Sequence, residues 1–294
     1  MRTGADAALL SRAVKGTFRL LNASRASAAG LAVFVVICGL AVAAPWLAPH
    51  DPISQDVPHR LEAPSAGYLL GTDAFGRDIL SRLLWGSRIS LTIGIVSILL
   101  AMVVGGAFGI LAGYKGGRTD SIVMRVMDVL LSFPTLIMGL LIVTVLGPSM
   151  VNLIGAIALT VVPKFARIAR APTIAVRERE FIEASRAMGV SDLRIMGVHV
   201  VPNVAGEVLV MASLWTATAV RIEASLSFIG LGVKPPTPTW GGMIREGFEH
   251  ILDAPWLSIY PGLCLLLLVF SLNLVGDGLR DAADPKLRNG QSSW

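Results

Sequence analysis

Residues 89–114, Ile89 to Tyr114 (ISLTIGIVSILLAMVVGGAFGILAGY), contain no Asp, Glu, Lys or Arg. A hydrocarbon layer about 30 Å thick takes roughly 20 apolar residues in a helix. The stretch is long enough to cross a bilayer, and a lipid-facing backbone must satisfy its own hydrogen bonds, which selects helix. Four further apolar stretches flank it, at 26–50, 129–163, 195–220 and 254–276. None alternates as a membrane β-strand would. The stretch 129–163 is too long for one helix and too short for two, and Gly147-Pro148 breaks it. Two helices fit if the first begins near Ile122 and takes in Arg125 and Asp128. At mid-bilayer those two charges would cost about 5–7 kcal/mol together, so they belong near the interface. Their i, i+3 spacing predicts a structural ion pair on one helix face.

The chain is therefore predicted to be an all-α polytopic membrane protein. Six transmembrane helices are expected, near 28–48, 88–113, 122–146, 150–168, 203–226 and 257–276. The partition is an N-terminal segment 1–27, the first span 28–48, an external segment 49–87, a five-helix core 88–276 and a tail 277–294. With both termini in the cytoplasm, inside segments hold 17 of the 25 basic residues and outside segments hold six. That is the positive-inside pattern. The first span could be mistaken for a cleaved signal peptide, but Pro45 would follow the best cut and the run is long enough to span.

Composition agrees. Of 294 residues, 54% are hydrophobic and 15% charged, with a mean hydropathy of +0.69. A soluble globular chain carries about 25% charged residues, so a water-soluble enzyme and a disordered chain are both excluded. The net charge of +5 follows from topology and calls for no nucleic acid. Cys38 and Cys264 sit in apolar runs and make no disulfide framework.

Outside the membrane, Pro49, Pro52, Pro58 and Pro64 predict an extended start to the external segment. Thr72 or Asp73 is then placed to cap a helix beginning near Ala74 and running through Ile79, Leu83 and Leu84 into the second span. It reads either as a helix lying at the interface or as a docking platform for an external partner, with Asp73, Arg77 and Asp78 as candidates and Ser81 as an accessible labelling position. The second external loop carries Pro235, Pro236, Pro238, Trp240, Gly241 and Gly242. Trp240 and Trp256 fit an interfacial aromatic belt, and Trp240 is a further docking candidate. On the inner side, 169–201 predicts a short helix around 177–188. Gly189 is its C′ residue, Ser191 caps a second helix, and Pro202 opens the fifth span. Phe181, Ile182, Ala184, Ser185 and Met188 share much of one side. A helix so short needs something to pack against.

Soluble-enzyme chemistry finds no signature. None of the five lysines follows a glycine, so no Walker A loop exists. His50, His59, His199 and His250 are scattered and suggest no metal site. No GxSxG elbow is present. Arg221 and Glu223 are charges near the far end of the fifth span and, with Ser227, are candidates for a translocation pathway. A structural ion pair to a neighbouring helix is the alternative for Glu223. An ion-coupled secondary transporter would show inverted repeats and an acidic midplane cluster.

The internal hairpin is more specific. Glu183-Ala184-Ser185, three residues, Gly189, twelve residues and Pro202 resembles the EAA loop of ABC importer permeases. Ser185 departs from the usual Ala, and His199 and Val201 stand for Ile and Leu. The His199-to-Asn203 ending, Leu70–Asp78, Gly86–Leu91, Leu226–Gly232, Pro238–Gly241, and Asn273–Asp281 with Asp284-Pro285 resemble the C-type permeases of dipeptide, oligopeptide and nickel importers. The resemblance runs from about residue 28 to 288. It implies a type I importer fold in a bacterial cytoplasmic membrane and a heterodimer with a B-type permease. It also implies an extracytoplasmic substrate-binding protein, and one or two cytoplasmic ATPase subunits that bind ATP and Mg while this chain binds no cofactor. Glu183, Ala184, Ser185, Met188, Gly189 and Pro202 would form the ATPase-coupling surface. Peptides are the expected cargo, with nickel, glutathione or a related solute as the alternative.

Overall fold

Prolines and glycines, more than hydropathy, decide where the helices stop. The computed structural model describes residues 25–283. The basic residues before Arg25 and the tail with Asp284-Pro285 lie outside the described residues. Ten α-helices are described: α1 (Arg25–Leu47), α2 (Ile79–Lys115), α3 (Gly117–Ser132), α4 (Thr135–Leu146), α5 (Met150–Arg177), α6 (Glu180–Ala187), α7 (Asp192–Ile195), α8 (Val201–Ile229), α9 (Trp240–Phe248) and α10 (Trp256–Ala283). A π-turn at 196–200 joins α7 to α8 without a break. Five helices are long and apolar enough to cross a membrane, and a sixth span exists if α3 and α4 are taken together.

Three expectations change. No helix starts at Ala74. Thr72 pairs with Asp78 across a turn in which Gly76 has φ +75°. Asp78 then caps α2, its Oδ2 accepting from the Ser81 amide at 2.8 Å. The third span is not one helix: α3 and α4 meet at 89°. Phe133 is extended, with φ −83° and ψ 132°, because the ring of Pro134 disfavours helical backbone before it. Finally, α10 runs on to Ala283, so no helix end falls at 276.

The central contact is α2 against α5, and it is built from missing side chains. Gly105, Gly109 and Gly113 recur every four residues on one face of α2. A Cβ on Gly109 would lie 2.9 Å from the Ala166 carbonyl carbon, and one on Gly113 would lie 2.8 Å from the Arg170 oxygen. Such stripes let helix backbones touch where no water drives association. Around this seam Ile98, Ile157, Val161, Phe165 and Ile222 form one core. A second core joins α1, α2, α8, α9 and α10 through Ala41, Leu91, Val220, Trp240 and Leu268. Val36, Val103, Val145 and Leu266 stay exposed, as lipid-facing residues do.

Candidate functional site

The predicted hairpin forms as α6, a glycine turn and α7. Gly189 has φ +77°. Its amide donates to the Arg186 carbonyl at 2.9 Å and the Val190 amide donates to Ser185 at 3.1 Å, a Schellman ending. Ser191 occupies the cap position of α7, but its hydroxyl makes no capping bond. The predicted coupling residues divide. Ile182 and Ser185 are buried in the chain, Ser185 donating back to the Phe181 carbonyl at 2.7 Å. Glu183, Ala184, Gly189 and Pro202 are exposed, and Met188, at 74%, and Leu193, at 80%, stand in solvent. The hairpin thus has an inner face seated on the spans and an apolar outer knob with no cover of its own.

What seats it is a clamp that the motif did not reveal. Tyr114, at the C-terminal end of α2, donates to Asp192 at 2.9 Å. Lys115 pairs with the same carboxylate. Arg186 donates to the Tyr114 hydroxyl at 3.3 Å and lies 5.0 Å above its ring. The Tyr114 hydroxyl holds the Arg186 guanidinium above its ordinary pKa. Arg177 reaches the Gly113 carbonyl at 3.2 Å.

The charges within the spans also sort by structure. The expected Arg125–Asp128 pair is not the one formed: Asp128 accepts from Arg167 of α5, and Asp120 takes Arg170. A pair that bridges α3 to α5 fixes two helices, which a pair within one turn of α3 would not. Arg221 is exposed on α8 and donates to Thr218 at 3.1 Å. Asn203 and Glu207 share its side of the helix and are also exposed; Glu207 lay unnoticed in a stretch read as apolar. Glu223 and Ser227 turn the other way. Glu223 is fully buried, accepts from Ser227 at 2.7 Å, and its other oxygen has no partner. No cation pairs with it among the described residues.

At the N-terminal end of α2, Asp73, Arg77, Asp78 and Trp240 are all between 2% and 5% exposed. Arg77 donates to Asp73 at 2.6 Å and to Glu246 at 2.7 Å, and Arg82 donates to Glu246 at 2.9 Å. Trp240 gives its indole N–H to the Leu83 carbonyl at 3.0 Å over Gly86, where a Cβ would lie 3.1 Å from its ring. Trp240 therefore belongs to the core rather than to an interfacial belt. These side chains are committed to the chain itself and build a cap that ties α2 to α9. Ser81 is fully buried and unfit for labelling. Beside the cap a cavity of about 640 Å³ opens among Arg77, Arg82, Lys234, Arg245 and Glu246. In the segment before α2, Tyr68 donates to Asp56 at 2.9 Å. That bond lowers the Asp56 carboxyl below its usual range and raises the Tyr68 hydroxyl.

Comparisons agree with this architecture. The di/tripeptide transport system permease protein DppC of Pseudomonas aeruginosa is 43% identical over 266 residues, 88% of each chain. The glutathione transport system permease protein GsiD of Pectobacterium atrosepticum is 42% identical, covering 92% of this chain and 90% of that one. The probable D,D-dipeptide transport system permease protein DdpC of Escherichia coli is 38% identical, covering 93% and 92%. In three dimensions the chain superposes on the MetNI methionine ABC transporter in an inward-facing conformation with a TM-score of 0.55 at 20% identity, over 69% of this chain and 97% of that one. The fold is that of a type I ABC importer permease. Residues 15–64 match the N-terminal TM domain of oligopeptide transport permease C. Residues 105–289 match the profile described as binding-protein-dependent transport system inner membrane component, and the chain belongs to that family.

Proposed function

We propose that this chain is the C-type permease subunit of an ATP-driven importer of di- or oligopeptides. It would form half of the translocation pathway beside a B-type permease in a bacterial cytoplasmic membrane, with both termini inside. One or two ATPase subunits would bind ATP and Mg, and an extracytoplasmic binding protein would deliver cargo. The observation that carries this reading is the two-faced hairpin. Met188, Leu193 and Phe181 are exposed apolar residues on a stub whose other face is clamped to α2 through Tyr114 and Asp192. An apolar knob at the inner end of a membrane bundle suits insertion into a cleft on a motor subunit. Glu183, Ala184, Ser185, Met188, Gly189 and Pro202 would shape that joint. ATP-driven closure of the motor would then move the hairpin and the spans as rigid bodies, provided ATP binds the two states with different affinity. Arg221, Asn203 and Glu207 on the open side of α8 would line the pathway, since ionisable groups in spans face water or partners. Asp73, Arg77, Asp78 and Trp240 would act in receptor docking by holding the cap in shape, and Glu223 and Ser227 would support the pathway by bracing α8 from within.

Gly189→Pro and Glu183→Lys test the coupling. Proline cannot adopt the positive φ at 189, and lysine reverses charge at the knob. In proteoliposomes both should reduce receptor-stimulated ATP hydrolysis and uptake at least fivefold while the complex still inserts; unchanged stimulation and uptake in both would refute the assignment. A glutathione importer is the second reading, favoured by a relative as similar as the peptide permeases. Ligand binding to the cognate receptor decides between them.

A further inference from the structure

We propose that Lys164 receives the carboxylate of the transported solute within the fourth span. The proposal rests on the peptide-import reading, because every peptide with a free C-terminus carries such a group. Lys164 lies 14 residues from Met150 in α5, about 21 Å along the helix at 1.5 Å per residue, inside the span expected at 150–168 and one turn from its end. An ammonium at that depth is expensive and calls for a function. The arginines one and two turns nearer the inner side have acids: Arg167 has Asp128 and Arg170 has Asp120. Lys164 forms no ion pair among the described residues. Its Nζ lies 4.1 Å from the centroid of the Trp215 ring of α8, and the same indole's Nε1 is buried without an acceptor. Neither donor has an acceptor among the described residues.

The space beside Lys164 fits an acceptor ligand. It is a cavity of about 350 Å³ walled by Ser132, Phe133, Pro134, Thr135, Thr160 and Lys164, within the lower range of small-molecule sites. Thr160 and Ser132 already donate their hydroxyl protons to the carbonyls of Ile157 and Val129, each at 2.7 Å. Positive charge in this space comes from Lys164. A cationic solute finds no complement there, whereas a carboxylate finds a charge-assisted partner. The indole face holds the ammonium while the site is empty of cargo, and a carboxylate would draw it off the ring. The 89° bend of α3 on α4 forms the cavity wall, so the site lies where the third span departs from a straight helix.

The complete transporter in proteoliposomes, with saturating receptor and L-alanyl-L-alanine as probe, tests this. Lys164→Gln should lower maximal uptake at least tenfold, and Lys164→Arg should restore at least half of it. L-alanyl-L-alanine should also change a tryptophan emission component that is lost in Trp215→Phe and in Lys164→Gln. That second measurement separates a carboxylate site from a packing role and decides the matter if Lys164→Gln fails to assemble. Normal uptake by Lys164→Gln, or a dipeptide response that persists in it, overturns the site and leaves peptide import standing. A wild-type complex that imports no peptide with its own receptor overturns the peptide reading, and the site with it.

Discussion

Replacing Glu246 by glutamine asks whether charge holds the cap between α2 and α9. Arg77 and Arg82 both donate to the same Glu246 oxygen, at 2.7 and 2.9 Å, and both reach Asp73. The guanidiniums are 3% and 2% exposed and the Glu246 side chain 32%. Glutamine keeps the shape but leaves two buried cations with one anion. Breaking a buried pair costs about 3–5 kcal/mol. Water reaches part of Glu246, and screening reduces this to about 2–3 kcal/mol. At about 2–4 °C per kcal/mol for a chain of this size, the apparent Tm of the purified complex should fall by about 5–10 °C. Arg82 already has one Nη without an acceptor, so removing it as well relieves the orphaned charge. Arg82→Met combined with Glu246→Gln should recover at least half of the loss. A Tm unchanged by Glu246→Gln, or a double variant worse than the sum of the singles, would show that packing alone holds the cap.

Gly109→Val places methyl groups against the Ala166 backbone and should cost about 1–3 kcal/mol or more by overpacking, seen as a lower Tm and reduced complex yield, whereas Gly106→Ala, with open space around it, should be nearly silent. Ser54 is exposed in the outer segment, so Ser54→Cys should react with an impermeant thiol reagent in intact cells; labelling only after lysis would invert the topology. Asp56 has a lowered folded-state pKa, chiefly through Tyr68. Its contribution is present above the unfolded value near 4 and is lost as pH falls through the lower folded value, so Asp56→Asn should flatten the acid limb of a Tm-versus-pH profile below about pH 4 and leave the neutral region little changed.

The spans were legible because burial in lipid writes a long uncharged signal. Gly189 was legible because positive φ without a side chain has few substitutes. The failures share a different cause. Asp128 had two basic residues within reach, Arg125 in sequence and Arg167 in space, and spacing cannot see the second. Trp240 looks like a belt residue by its loop, yet its indole N–H finds the Leu83 carbonyl only because Gly86 is absent of bulk. The kink at Phe133–Pro134 was readable from proline chemistry. Hydropathy passed over it, because both halves are apolar enough to read as one helix. Lys164 and Trp215 are 51 positions apart, and nothing local joins them.

The same long helix touches both ends of the mechanism. α2 has 37 residues, about 55 Å at 1.5 Å per residue. Its first turn carries Arg82, bound to Glu246 of α9. Its last turn carries Tyr114 and Lys115, bound to Asp192 of the hairpin. Between them the glycine stripe locks it to α5, which holds Lys164. A force on the hairpin therefore loads α2 directly rather than through a loop, and α2 cannot shift without moving either the cap or the α5 seam. On the proposed mechanism glycine at 109, distant from both ends, would bear on transport: a thicker seam would separate two helices whose backbones now touch.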